Sequence, residues 1–426
     1  QRGCFDISFV FLRVLCVLRV LRVEAFVVMR PLDGITVVSL EQAVAAPFAT
    51  RQLADLGARV IKIERPKVGD FARDYDRTVK GMSSHFVWLN RSKESLTLDV
   101  KHGKAGEILA RLIAGADVFI QNLAPGAAAR LGLAADALLE KHPRLVACDI
   151  SGYGDSGPYA SKKAYDLLVQ SEAGVLSITG TPEVPSKVGI SIADIATGVY
   201  AYSGILTALY RREKTGKGGR VEVTMLDALG EWMGYPLYYS HFGGTPPPRS
   251  GPDHATIVPY GPFRAGDGKS VMLGVQNERE WASFCDKVLG QPKLATDPRY
   301  DNNMKRNERR AELVALVEKA CSVLTTEQLV AKLDAAGIAN ACVNAPDEVW
   351  KHEQFKARDR WRDVESPVGV IPALLPPATL SGADARMDAI PDIGEHTEKI
   401  LAELGYAVQD IAALKAGGAI SFERRR

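Results

Sequence analysis

From residue 29 onward, short runs of β-branched and aliphatic residues alternate with stretches whose apolar positions recur at helical spacing. Ile35–Leu40 (ITVVSL), Val60–Glu64 (VIKIE), Leu96–Asp99, Val118–Gln121 (VFIQ) and Leu145–Ile150 (LVACDI) read as strands. Helices are predicted over Pro47–Leu56, Lys104–Ala114 and Ala135–Lys141. Pro47 suits a first turn, where its missing N–H has no partner in any case, and Gly57 closes that helix. Strands alternating with helices predict an α/β fold, a Rossmann-like parallel sheet covered on both faces.

Further along, Ile195, Val199, Tyr202, Ile205, Leu206 and Leu209 fall on one helical face, predicting a long helix over Ile195–Arg212. Gly216 stops it, and Val221–Thr224 reads as a strand. The run KTGKGGR at 214–220 lacks phosphate-loop spacing and precedes a strand, so it reads as a helix stop and a tight turn. Residues 243–261 (GGTPPPRSGPDHATIVPYG) are rich in Gly and Pro, as at a domain boundary carrying a functional loop. A smaller α+β unit follows, with a strand at Val271–Val275 and helices at Glu278–Leu289, Glu308–Cys321 and Glu327–Ala336. A helix at Glu395–Leu404 marks the return to the first pattern. The expected division is therefore 1–28 as an extension, 29–245 as a large domain, 246–345 as a small domain and 346–426 as a return to the large one.

Residues 1–28 differ from the rest. Arginine interrupts the run FVFLRVLCVLRVLRV every few residues, and no uncharged stretch reaches the ~20 residues that cross a bilayer. The segment reads as translated upstream sequence ahead of Met29, with an Arg-rich targeting peptide as the other reading. Charge changes little: 53 Lys and Arg against 51 Asp and Glu leave +2, too weak a field to gather nucleic acid or coat an anionic membrane. Six scattered cysteines, without a CxxC pair, point to a reducing and hence cytoplasmic compartment. The seven histidines form no HxH or HExxH pattern, so no metal is expected. No GxSxG is present, and EQAVAAP follows the first strand where a dinucleotide-binding protein carries GxGxxG.

Candidate chemistry centres on Asp194, in Ile190-Ser-Ile-Ala-Asp194 at the approach to the long helix. An Asp there is ordinarily an N-cap, and the helix N-terminus would keep its carboxylate ionised. Tyr165 and Asp166, early in an apolar helical run, form a second candidate, with the same capping reading for Asp166. Lys62, Arg65, Lys93, Lys101, Arg130 and Lys163 form a third; several follow predicted strands, where open α/β sheets bind ligands.

Several segments, in one order, resemble family III CoA-transferases: Pro31–Leu40, Ala54–Pro66, Leu89–Lys93, Asn122–Gly126 with Arg130–Gly132, Ser151–Gly154, and Lys214–Gly218 through Met225–Ala228. The resemblance covers nearly everything from Met29 on. It implies CoA transfer between carboxylic acids through a covalent intermediate on Asp194. It implies CoA contacts at Val44, Ala45, Arg65, Leu98, Lys101, Asn122, Leu123, Ala124, Arg130, Lys163 and Tyr165. A substrate loop is implied at Gly243, Gly244 and Gly251, without the run of glycines of formyl-CoA transferase. It implies acyl-CoA as substrate with no permanently bound cofactor, and an interlocked homodimer, each chain a ring threaded through the other. The family's racemase branch uses a His–Asp pair; Tyr165 stands at the His position here, and a phenol titrating near ~10 is poorly poised to remove an α-proton. The stretch Ala164–Gly174 is most similar to transferases acting on short dicarboxylic acids. A 2-methylacyl-CoA racemase and a non-catalytic CoA-binding protein are the alternatives.

Overall fold

The computed structural model describes residues 29–422; the 1–28 extension lies outside the described residues. The chain divides into two compact units. The first holds the described residues up to Asp149, Ala201–Val221 and the residues from Arg362 onward; the second holds Ile150–Tyr200 and Glu222–Trp361. Residues 150–200, 222–245 and 346–361, expected with the large domain, thus fall in the second unit. For 150–200 and 222–245 the reason is a separate apolar cluster there, Val169, Val175, Ala193, Met225, Leu229 and Met233, which sequence periodicity does not reveal because it joins distant segments.

The first unit is built on the sheet strands β1 (Thr36–Leu40), β2 (Arg59–Glu64), β3 (Lys93–Thr97), β4 (Val118–Gln121), β5 (Val146–Ser151) and β6 (Gly219–Thr224), in the order β3-β2-β1-β4-β5-β6. The β2–β1, β2–β3, β1–β4 and β4–β5 pairings are all parallel. The strand order reverses at β1, the place where such sheets open a ligand crevice at the strand carboxyl ends. Helix α1 (Ala45–Asp55) follows β1, with Pro47 in its first turn, and α2 (Ala105–Ala114) follows β3. The core packs Val38, Leu40, Ile61, Ile63, Phe119 and Ala147 from the strands against Ile108, Leu109 and Leu112 of α2.

The third strand is displaced from its expected range of Leu96–Asp99. It starts at Lys93 because both charged residues at its head find partners: Lys93 donates to Glu41 at 2.7 Å, and Arg59 donates to Glu94 at 2.7 Å. At the edge of the sheet, β3 is covered by the C-terminal segment. Ser95 accepts from His396 N–H at 3.0 Å, Thr97 N–H donates to Thr397 Oγ1 at 3.0 Å, and Asp99 N–H donates to Ala419 O at 2.8 Å. An edge sealed this way cannot template pairing with another chain.

The second unit contains α3 (Asp166–Glu172), the start of the 24-residue helix α4 (Ile192–Thr215), α5 (Met225–Trp232) and α6 (Gly234–Gly243). It also holds an antiparallel sheet of β7 (Tyr260–Arg264), β8 (Ser270–Gly274) and β9 (Ala339–Cys342) in that order. Val271, Leu273, Trp281, Phe284, Leu313 and Leu329 centre its core. The helix expected at Glu278–Leu289 is α-helical only to Ser283 and widens into a π turn over Phe284–Val288. The long helix is longer than expected, starting at Ile192 and running to Thr215, with Gly216 at φ +72° ending it.

Candidate active site

Asp194 lies in the first turn of α4, so its side chain is inside the helix and is not the cap. The cap acceptor comes from elsewhere in the unit. Asp166 Oδ1 accepts from the Ala193 N–H at 2.8 Å and from the Asp194 N–H at 3.3 Å. Asp166 Oδ2 accepts from Gln170 Nε2 at 2.7 Å, and Gln170 Oε1 accepts from the Val188 N–H at 3.0 Å. Gln170 is fully buried, so its amide has no water to compete for it. A carboxylate on α3 is therefore fixed from below by its own helix and closes the exposed N–H groups of α4.

The half-buried Asp194 carboxyl accepts no hydrogen bond from the described residues, and its proton affinity reflects this. Burial is the first cause and the neighbouring negative charge of Asp166 the second; together they raise its pKa to about 7. The helix N-terminus predicts an ionised carboxylate; burial instead favours the protonated form. A helix dipole contributes only ~0.5 charge, and lost hydration outweighs it. Near neutral pH about half of such groups are ionised. The anion is poorly solvated, which favours nucleophilic attack on a carbonyl. Thiols offer no rival among three of the cysteines: Cys148, Cys285 and Cys321 are buried, and burial pushes the Cys321 thiol up to about 11.

In the first unit, a cleft opens at the carboxyl ends of β1, β2 and β4, lined by Leu40, Gln42, Arg65, Leu98, Val100 and Leu123. Three of the expected CoA contacts, Arg65, Leu98 and Leu123, meet here. Arg65 Nε donates to Gly69 O at 3.2 Å, which leaves the rest of the guanidinium for a ligand. Asn122 braces the cleft: it accepts from the Gln42 N–H and donates to Gln42 O, both at 2.9 Å, tying the loop after β4 to the loop after β1. Val44 and Ala45 are buried at the head of α1, so only their main chain can meet a ligand. Lys101, Ala124 and Arg130 are exposed, Arg130 ending a short helix at Ala127–Arg130. Lys163 and Tyr165 are exposed in the second unit, Tyr165 immediately ahead of α3.

Two of the basic residues grouped as ligand anchors are removed from that role. Lys62 and Lys93 are buried beneath the cleft. Lys62 Nζ lies 2.7 Å from Asp70 and 3.2 Å from Glu41, and Lys93 Nζ lies 2.7 Å from Glu41. Glu64 beside them is bound by Arg73 at 2.8 Å and by Ser95 Oγ at 2.8 Å. Burial alone would favour neutral forms, but the cations beside Glu41 hold its carboxyl below the usual range, and Arg73 with its neighbours holds Glu64 down to about 2. This network joins residues 41, 62, 64, 70, 73 and 93, and no local spacing in the sequence signals it. Among the described residues no group of three or more His, Cys, Asp or Glu side chains is placed to hold a metal ion.

The glycines of the expected substrate loop have distinct backbone roles. Gly243 ends α6, and Gly244, at φ +74°, is its left-handed stop. Gly251 N–H donates to Gly180 O at 2.8 Å. Arg249 beside it donates to the carbonyls of Thr181 at 2.9 Å, Pro182 at 2.7 Å and Ser177 at 3.4 Å. The root of the loop is thus clasped to the turn that leads toward α4 by Arg249, which no motif in the sequence singles out.

A family model for CoA-transferase family III matches residues 32–397. The chain is 32% identical over 399 residues to the succinyl-CoA:glutarate CoA-transferase of Homo sapiens, covering 92% of this chain and 90% of that one. It is 37% identical over 310 residues to the acetyl-CoA:oxalate CoA-transferase of Acetobacter aceti, covering 72% of this chain and 79% of that one. Among solved structures, a CAIB/BAIF family protein from Brucella suis matches with a TM-score of 0.79 at 34% identity, covering 88% of this chain and 99% of that one. Agreement over this much of the sequence and of the fold leaves one assignment: the chain belongs to CoA-transferase family III.

Proposed function

We propose that this enzyme moves CoA from an acyl-CoA to a free carboxylic acid, a short dicarboxylic acid in particular, with Asp194 as the covalent relay. The observation that carries the reading is the Asp194 carboxyl itself: half-buried, without a hydrogen-bond donor among the described residues, and raised to about 7. A purely structural capping Asp would be held in its ionised form by the N–H groups it accepts from. The acid class is supported by relatives named for glutarate and for oxalate.

In this mechanism an ionised Asp194 oxygen attacks the thioester carbonyl, and the C–S bond breaks to release CoA thiolate. The product is a mixed anhydride. The thiolate then attacks the aspartyl carbonyl, freeing the donor carboxylate and leaving an aspartyl-CoA thioester. The acceptor carboxylate attacks that thioester, and the released thiolate takes the acceptor acyl group, restoring Asp194. Every intermediate stays activated, so one difficult exchange becomes a series of easier steps without ATP. N–H groups of the Gly243–Gly251 region are assigned to the developing oxyanions, and Arg65 with Lys101 to the CoA phosphates. Water must be kept from the anhydride, a task for the loop rooted at Arg249.

A homodimer forms part of the proposal. Trp232, Tyr235, Leu237, Tyr238 and Phe242 on α5 and α6 are exposed, Phe242 by 81%, and a run of large apolar side chains of this kind is ordinarily covered. The reading is tested with labelled glutarate, oxalate, succinate and monocarboxylic acids against succinyl-CoA. We expect label to enter CoA thioesters from at least one diacid, and Asp194→Ala to abolish it. Proton exchange at the α-carbon without any acceptor acid would instead place the enzyme with the racemases.

A further inference from the structure

The side chain that raises the proton affinity of Asp194 is also the one that holds its helix in place, and a buried amide holds that side chain in turn. Asp166 Oδ1 spans the Ala193 and Asp194 N–H groups at 2.8 and 3.3 Å, while its second oxygen is taken by Gln170 at 2.7 Å. Gln170 is fully buried and its remaining acceptor is taken by Val188, on the segment leading into α4. We propose that Asp166 and Gln170 are positioning residues for Asp194, forming one connected strut from α3 to the first turn of α4. The proposal rests on the reading of Asp194 as the covalent relay.

Two consequences are joined in this strut. The first is geometric: a nucleophile in the first turn of a helix moves with that turn, and an error near 1 Å in its placement lowers reactivity by orders of magnitude. An N-terminal turn without its acceptor frays. The second is electrostatic. Beyond the effect of burial, the negative charge of Asp166 opposes ionisation of Asp194. Among the described residues Asp166 is the one charged group that shifts Asp194, although α5 also carries Asp227 and Glu231. Helix α5 contributes Met225, Leu229 and Met233 to the cluster, and Lys187 on the segment before α4 turns its Nζ back onto the Val188 and Gly189 carbonyls at 3.2 and 3.4 Å. The strut therefore trades the ionised fraction of Asp194 at neutral pH for a fixed and reactive carboxylate.

The experiment uses the full chain and reads the pH profile of kcat/KM together with kcat and KM. Asp166→Asn keeps an acceptor for the helix but removes the charge, so we expect the acid limb to move down by about one pH unit. Gln170→Asn is too short to reach Asp166, and we expect kcat to fall at least about tenfold with KM for acyl-CoA little changed. A purely structural role would lower Tm without moving the acid limb. An unmoved limb in Asp166→Asn, or kcat within about twofold of wild type in folded Gln170→Asn, overturns the proposal. Should either variant fail to fold, carboxyl-carbon NMR of wild-type enzyme decides: Asp194 must titrate well above an ordinary aspartate, and an ordinary aspartate value overturns the proposal. Loss of covalent labelling at Asp194 in the wild type would count against the relay itself, a result separable from all of these.

Discussion

The Lys93 ammonium lies 2.7 Å from the Glu41 carboxylate, and both side chains are buried beneath the cleft of the first unit. Lys62 bridges Glu41 and Asp70 in the same layer. A buried ion pair adds little net stability over an apolar pair, but removing one partner leaves an uncompensated charge. We expect Glu41→Ala to destabilise the protein by about 3–5 kcal/mol. Urea unfolding of the single variant and of Glu41→Leu with Lys93→Met checks this, the double variant recovering much of the loss.

Glu64 supplies a pH dependence of definite sign. Its folded-state pKa, near 2, lies below the usual carboxylate value of 4.5: burial opposes the anion, but Arg73, Lys62 and the Asp70 N–H together favour it. Its contribution is complete above the unfolded pKa and is lost as pH falls from there through about 2. A lowering of this size corresponds to ~3 kcal/mol. We expect Glu64→Gln to flatten the acid limb of stability below pH 4.5; an unchanged limb in thermal melts across that window would oppose it.

Asp194 behaves in the opposite sense. Its raised folded pKa means that the unfolded chain ionises first, so stability falls as pH rises from the ordinary aspartate value of 3.8 through about 7. After discounting for partial exposure, we expect Asp194→Asn to stabilise the protein by about 2 kcal/mol at pH 8 and hardly at all near pH 4. Denaturant titrations at the two pH values read the difference directly. Such a gain in a variant without activity is the mark of a side chain held for reactivity.

Much of this molecule is legible in the sequence, and the failures have a common cause. The strand Val118–Gln121 and the helix Ala135–Lys141 occur as expected because their apolar periodicity is local. Asp194 is visible only through a resemblance, since its spacing alone reads as a cap. Lys62 and Lys93 look like ligand anchors in the sequence because their shared partner, Glu41, lies 21 and 52 residues away. The same holds for Asp166, whose partners Ala193 and Asp194 lie 27 and 28 residues away. Side-chain bonds between segments leave no period to find.

The Arg249 clasp yields a prediction about motion. Its three carbonyl contacts, with the Gly251–Gly180 bond, fix the root of the loop to residues 177–182. Arg249→Ala should raise amide exchange at 177–182 and 249–251 severalfold while changing global stability by only about 1 kcal/mol, and should increase hydrolysis of acyl-CoA relative to transfer. Equal exchange in the two proteins would show that the loop is held by other contacts.

The covalent relay can be read from oxygen atoms. In a single turnover with an acceptor acid labelled with heavy oxygen on both carboxylate positions, the acceptor's bridging oxygen must remain on the aspartate when the thiolate takes the acyl group. We expect mass spectrometry of the digested enzyme to find one heavy oxygen on Asp194 and on no other residue. An enzyme that turns over fully while Asp194 stays unlabelled would contradict the mechanism.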